Sequence, residues 1–259
     1  MPRTRFSPLL LLLAFLLAAR LAGQGFADEI QVYTNDIQKP GKVGLEVHLN
    51  RILQGPKDAP SGLPFNGSWN LTPEISYGLL PTLDIGLYLP TARDTDHHYR
   101  FSGPKFRIKW LPIRGEGEEA MGPFLGLNLE VARTNRSFSD LRWESELRVL
   151  AGHQLEDWML AVNPVFTWPL SDGQGRGTPD FATAWKAAYT RWKGAAPGLE
   201  LYLDHGLLNH ANLAREQSQR LFATLDVDHG PLVFNVGIGR GLTAVSERWT
   251  LKFIFEFAF

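Results

Sequence analysis

Basic side chains recur at every second position in Lys105, Arg107 and Lys109, with Phe106, Ile108 and Trp110 between them. In an extended chain alternate residues share a face, so this short stretch carries a cationic ladder on one side and an apolar stripe on the other. Acids of the same parity occur in the neighbouring segments, at Asp84 and Glu130. Further charges of this kind are Glu46, Glu74, Glu146, Arg148, Lys186, Glu200, Asp204, Arg220, Asp226, Lys252 and Glu256. Arranged around a common space, a basic wall facing acids makes an electrostatic eyelet that orients a polar or zwitterionic solute. The same residues also suit a second arrangement, in which unlike charges on adjacent strands pair and close most of the space.

Other chemistry has less support. Asp94-Thr-Asp96-His97-His98 could hold a divalent metal through imidazole and carboxylate, and so could Asp204-His205 with His210. A solvated polar loop explains both groups without further ligand spacing, so no metal or cofactor is expected. Zero cysteine removes thiolate sites, cysteine nucleophiles and disulfides. A barrel-borne lipase needs a serine near a histidine, yet there is no His-x-Ser pair and no Gly-x-Ser-x-Gly elbow. The expectation is a protein that is not an enzyme.

The elements that carry these charges read with period two. Val43, Leu45, Val47 and Leu49 alternate with Gly44, Glu46, His48 and Asn50, and Leu125, Leu127, Leu129 and Val131 alternate with Gly126, Asn128, Glu130 and Ala132. About a dozen such segments follow one another, with no convincing helical period between them. Pro73, Pro104, Pro123 and Pro164 lie within or beside them and mark strand ends or bulges.

A sandwich, a soluble barrel and a membrane barrel all fit a run of short strands, and three features choose. Connectors after odd-numbered strands are longer and more polar, as in residues 51–67 and 91–104, whereas those after even strands are mostly tight, as at Pro81-Thr82 and Glu156-Asp157. That parity is how an outer-membrane barrel is built. Trp69, Trp143, Trp168, Trp185 and Trp249 fall towards the loop ends, and Trp110, Trp158 and Trp192 towards the turn ends, the places of two interfacial girdles. Lastly, Trp249 to Phe259 alternates aromatics up to a terminal phenylalanine. Such a strand is an aggregation hazard in water. Phe255, Phe257 and Phe259 are similar to the signal by which the outer-membrane assembly machinery recognises its clients.

Arg3 and Arg5 precede an apolar run from Leu9 to Ala19, and Gly25-Phe26-Ala27 offers a small-x-small cleavage site. This is the layout of a secretory signal peptide. Removing residues 1–27 takes away three arginines and no acid, leaving a net charge of about −4, so no nucleic-acid partner is expected. The expected organisation is a signal peptide over 1–27, a periplasmic N-terminal segment over 28–41 and a barrel over 42–259. Glu29 to Pro40 also suits an extra strand or a segment tucked into the barrel. A mean hydropathy of −0.15 looks soluble, but a membrane barrel hides its apolar half on alternate residues.

Several stretches together resemble a known group: Asp28-Glu-Ile-Gln-Val-Tyr, Pro40-Gly-Lys-Val-Gly-Leu-Glu-Val-His48, Pro73-Glu-Ile-Ser-Tyr-Gly78, Gly86-Leu-Tyr-Leu-Pro90 and Gly237-Ile-Gly-Arg-Gly-Leu-Thr243. They are similar to the proteobacterial outer-membrane "transporter" or meta-pathway phenol-degradation family. The resemblance covers nearly the whole mature chain, and its motifs are strand ends and turns. It implies a small barrel for passage of small compounds, aromatic ones among them.

The fold expected is an all-β, transmembrane, antiparallel up-and-down barrel of about 12 strands, with both termini periplasmic, in the outer membrane of a Gram-negative cell. The function expected is a porin-like channel for passive passage of small solutes. A barrel enzyme acting on lipid and a closed structural or binding barrel are the alternatives. Roughly 8 strands enclose only side chains and roughly 16 enclose open water. Inward glycines and small residues would leave room in the bore.

Overall fold

The computed structural model describes residues 29–55, 66–93, 98–115, 120–136, 138–139, 142–171, 177–229 and 232–258. The proposed signal peptide, Asp94, Asp96, His97 and Phe259 lie outside the described residues. Among the described residues the secondary structure is strand, apart from one 3-10 turn at Ala214–Glu216. The strands are β1 (Val43–Gln54), β2 (Trp69–Leu80), β3 (Leu83–Tyr88), β4 (Thr91–Arg93), β5 (Tyr99–Phe101), β6 (Lys105–Ile113), β7 (Gly122–Arg133) and β8 (Trp143–Gln154). They continue with β9 (Trp158–Pro169), β10 (Asp180–Tyr189), β11 (Ala195–Leu207), β12 (His210–Ala211), β13 (Gln219–His229), β14 (Leu232–Gly241) and β15 (Trp249–Ala258).

Two of the barrel's staves are broken strands. β3 and β4 both pair with β2, on either side of the Leu89-Pro90 interruption, and β5 and β6 are the two parts of the next stave. β12 is a two-residue flap on β11. Twelve staves therefore make one antiparallel sheet, and it closes on itself because β1 pairs with β2 on one edge and β15 on the other. Closure leaves no unpaired sheet edge. No helix among the described residues is long and apolar enough to cross a membrane; in this fold the strands are the candidates for doing so.

Three of the four prolines sit inside strands. Pro73, Pro123 and Pro164 keep their places in the ladders opposite Val47, His153 and Thr183. Pro73 still accepts a hydrogen bond through its carbonyl from Leu89 N–H at 2.9 Å. A proline lacks a donor only, so a ladder loses one bond there and continues.

The alternation sorts the staves into two faces. Outward residues include Phe106, Ile108 and Trp110 on β6 and Leu125, Leu127 and Leu129 on β7, all exposed, while Lys105, Arg107, Lys109, Asn128 and Glu130 between them are buried. This is the inverse of a water-soluble domain, with hydrocarbon on the surface and charge inside.

Several inward glycines do not leave the room expected of them. A methyl carbon on Gly152 would come within 2.3 Å of the Phe124 ring, and on Gly239 within 2.4 Å of the Phe222 ring. One on Gly86 would stand 2.9 Å from Arg107 Nε. These glycines are sockets for large side chains from neighbouring strands, not lumen space.

Candidate functional site

The segment before β1 defines the site. Residues 29–37 are tucked into the barrel interior, one of the placements the sequence left open, with Ile30, Val32, Tyr33 and Asn35 all buried. The reason lies in its pairing. The Tyr33 backbone N–H donates to Asn163 Oδ1 at 2.7 Å, and Asn163 Nδ2 donates to the Tyr33 carbonyl at 3.0 Å, so one side-chain amide from β9 serves both main-chain groups. Lys252 Nζ donates to the Ile30 carbonyl at 3.2 Å, Arg148 Nη1 to the Gln31 carbonyl at 3.2 Å, and Asn35 Nδ2 to the Ala120 carbonyl at 3.2 Å. An irregular strand inside a barrel must find such partners for its polar backbone.

The segment leaves the bore at the turn end, beside Gly78. There Pro40 bridges Gly78, Gly41 N–H donates to the Gly78 carbonyl at 2.8 Å, and Gly78 N–H donates to the Lys42 carbonyl at 3.1 Å. A side chain at position 78 would overlap the Lys39 carbonyl at 2.1 Å, so glycine is required for the chains to approach this closely.

Around this plug the lumen has two zones. Towards the turns, Val32, Tyr33 and Ile37 pack on Leu111, Phe124, Leu150, Met159, Ala161, Ala184 and Ala188. Deeper, the charges singled out from sequence come together. Lys105 Nζ lies 3.0 Å from Glu130 and 3.1 Å from Glu29. Arg107 donates through Nε to Glu74 at 2.8 Å and through Nη1 to Asp84 at 2.8 Å, and Lys109 stands 3.8 Å from Asp84. Arg148 meets Glu146 at 2.9 Å and Glu29 at 3.6 Å. Glu46 accepts from Gln31 Nε2 at 3.0 Å.

A second network occupies the opposite wall. Lys186 lies 2.8 Å from Asp226 and 3.5 Å from Glu200, which also pairs with Lys252 and accepts from the Tyr202 hydroxyl at 2.6 Å. Arg220 is separate from both, 3.6 Å from Glu247, and Asp204 caps the Gly206 N–H at 3.0 Å near the loop end. The basic ladder and the acids thus meet in contact pairs, as the second arrangement of these charges required. Buried charges left apart in a low-dielectric interior would cost several kcal/mol each, in round terms.

Sequence reasoning missed Glu29, Gln31, Tyr33, Tyr88, His48 and Asn163. Their only advance signal was the polar, inward parity of His48, Tyr88 and Asn163 on their strands.

On the outer wall, Trp69, Trp143, Trp168 and Trp249 stand at or near the loop ends of β2, β8, β9 and β15, and Trp110, Trp158 and Trp192 towards the turn end. Trp185, expected towards the loops, sits midway along β10 opposite Val162 and Leu201. Two loop-end indoles carry an arginine: Arg51 lies 4.7 Å from the Trp69 ring centre and Arg240 4.9 Å from that of Trp249. Phe255 pairs with Val47 and Phe257 with Leu45 at the closing seam.

A closed, antiparallel, twelve-stave barrel with apolar residues outside and charges inside is the fold of outer-membrane β-barrel proteins. Solved structures agree. The chain is similar to the COG4313 outer membrane channel from Pseudomonas putida F1, with a TM-score of 0.62 and 13% identity over 89% of this chain and 100% of that one. It is also similar to the KdgM porin, solved in complex with disordered oligogalacturonate (TM-score 0.52, 8% identity, 84% of this chain and 99% of that one). The NanC porin gives a TM-score of 0.52 and 8% identity over 84% of this chain and 98% of that one. At these identities the likeness is one of fold. No protein-family model and no curated protein matches the sequence.

Proposed function

We propose that this protein is an outer-membrane channel for small solutes whose passage is governed by its own N-terminal segment. The observation that carries this reading is that residues 29–37 thread the bore and are tied to it by polar contacts, which water or a polar solute can replace, as well as by apolar packing. A segment held only by apolar burial would have no comparable exchange partners. Aromatic compounds are the solute class suggested by the sequence resemblance, and the half-buried Tyr202 on the lumen side presents an aromatic ring to them.

On this reading the apolar outer face meets lipid hydrocarbon, the terminal tryptophans lie at the two interfaces, and the Phe255–Phe259 stretch engages the assembly machinery. The signal peptide directs export and is cleaved after Ala27, which leaves Asp28 as the first residue, next to Glu29 with its buried carboxylate. Fractionation and mass spectrometry of the mature protein from the envelope test this directly: an uncleaved protein in the inner membrane contradicts it.

The deciding experiment is single-channel recording in a planar bilayer. The intact mature protein is expected to give small or rare stepwise currents, and deletion of residues 29–37 to give larger and more frequent ones. No stepwise current from either protein at any voltage rules out a channel. That result favours the second reading, a closed structural or binding barrel, which the pairing of lumen charges also suits.

A further inference from the structure

We propose that Glu46, His48 and Glu74 form a divalent-cation site of the zinc type at the seam between the barrel wall and the plug. The strand register assembles it. Glu46 and His48 share the inward face of β1, and Glu74 is the direct cross-strand partner of Glu46 on β2. One donor atom from each lies within 4.8 Å of the others. His48 Nε2 is 3.0 Å from Glu46 Oε1 and 4.0 Å from Glu74 Oε2. Ligand atoms held about 2.0–2.2 Å from a common zinc ion stand at roughly 3–4 Å from one another, so the site needs only a small contraction.

Two independent observations point to a missing partner. His48 is fully buried: its Nε2 lies 3.0 Å from the Glu46 carboxylate without hydrogen-bond geometry, and its Nδ1 has no partner. The plug's Gln31 amide, which donates to Glu46 through Nε2, has its oxygen buried without a partner. A buried imidazole normally uses at least one nitrogen, and an orphaned acceptor beside it is costly. A cation coordinated by Nε2 supplies one of the two partners that the imidazole lacks.

The charge balance agrees. In the network on this side of the lumen, Glu29, Glu46, Glu74, Asp84, Glu130, Glu146 and Glu256, the cross-strand partner of Glu46, face Lys105, Arg107, Lys109 and Arg148, an excess of three negative charges. The opposite network, with Lys186 and Lys252 against Glu200 and Asp226, is balanced. One divalent ion beside a neutral imidazole cancels two of these three charges, whereas an imidazolium alone cancels one. Mixed nitrogen and carboxylate donors suit zinc and its neighbours rather than magnesium or calcium, which favour oxygen donors alone.

The test is independent of conductance. Untagged full-length mature protein, refolded in detergent and stripped with a chelator, is titrated calorimetrically with zinc and analysed for bound metal after dialysis. One ion per barrel is expected, with at least a tenfold weaker affinity in His48→Gln. Glu74→Gln is expected to weaken binding too, and heat-modifiable migration on gels checks that each variant is folded. Cobalt supplies a second readout, since a tetrahedral site with a histidine ligand gives visible absorption that His48→Gln removes. Absence of stoichiometric zinc in the wild type, or an unchanged affinity in folded His48→Gln, overturns the proposal and leaves His48 as a cationic counter-charge to Glu46 and Glu74.

Discussion

The phenolic oxygens of Tyr33 and Tyr88 lie 2.7 Å apart inside the barrel, one carried by the N-terminal segment and the other by β3. Tyr33 OH also reaches Glu130 Oε1 at 3.4 Å, and Tyr88 lies beneath Lys105, whose Nζ is 4.4 Å from its ring centre. This pair joins the plug to the charged zone. Tyr88→Phe removes the hydroxyl while keeping the ring, so it should cost about 1 kcal/mol of stability. Hydrogen exchange in residues 29–37 should quicken relative to the wall strands. Equal protection in the variant would mean that the contact does not hold the plug.

Asn163 is the sharper test of the plug, because a single amide serves both polar groups of the Tyr33 backbone. Asn163→Ala leaves a buried donor and a buried acceptor unpaired, at about 1–3 kcal/mol each. The cost falls on the plugged state alone, since water can reach those groups once the segment leaves. Open-state occupancy in bilayer recordings should therefore rise by tenfold or more, with unit conductance unchanged. A variant with wild-type gating would show that the plug is fixed elsewhere.

Arg107 and Lys109 are neighbours on one face but differ in attachment. Arg107 bridges Glu74 and Asp84 at 2.8 Å, whereas Lys109 is 3.8 Å from Asp84. Arg107→Gln removes the nearest cation from two buried carboxylates and should destabilise the barrel by about 3–5 kcal/mol. Lys109→Gln should cost a fraction of that. Thermal unfolding in micelles gives the comparison, and similar losses in both would contradict it. If solute passes this wall, neutralising Lys105 and Lys109 together shifts the reversal potential towards cations, and unchanged selectivity puts them off the permeation path.

The glycine sockets predict overpacking. Gly239→Val pushes a branched side chain into the Phe222 ring and should cost at least about 1–3 kcal/mol. Pairing it with Phe222→Ala should recover part of that loss, a coupling that a double-mutant cycle reads directly. Strict additivity of the two changes would show that the socket is not where the strain arises.

Much of the wall was legible in advance, because facing is a local property. Lys105, Arg107 and Lys109 point inward and Phe106, Ile108 and Trp110 outward for no reason beyond alternation on an extended chain. Trp185 shows where that reasoning weakens: β10 runs from Asp180 to Tyr189, which puts the indole midway along the strand rather than towards its loop end. Inward glycines misled for a related reason. The period says that Gly152 and Gly239 face the bore and says nothing of Phe124 and Phe222 arriving from adjacent strands.

Sequence by itself determined the number of staves, their up-and-down order and the chemistry of each face, since a two-residue period and the spacing of turns are written along the chain. Tertiary structure alone decided that the bore is occupied and which charges meet. Tyr33 and Asn163 are 130 positions apart, and Glu29 reaches Lys105 and Arg148 across the closed sheet. No local pattern encodes such contacts. They exist because closing the barrel surrounds a short polar segment with partners that nowhere adjoin it in the chain.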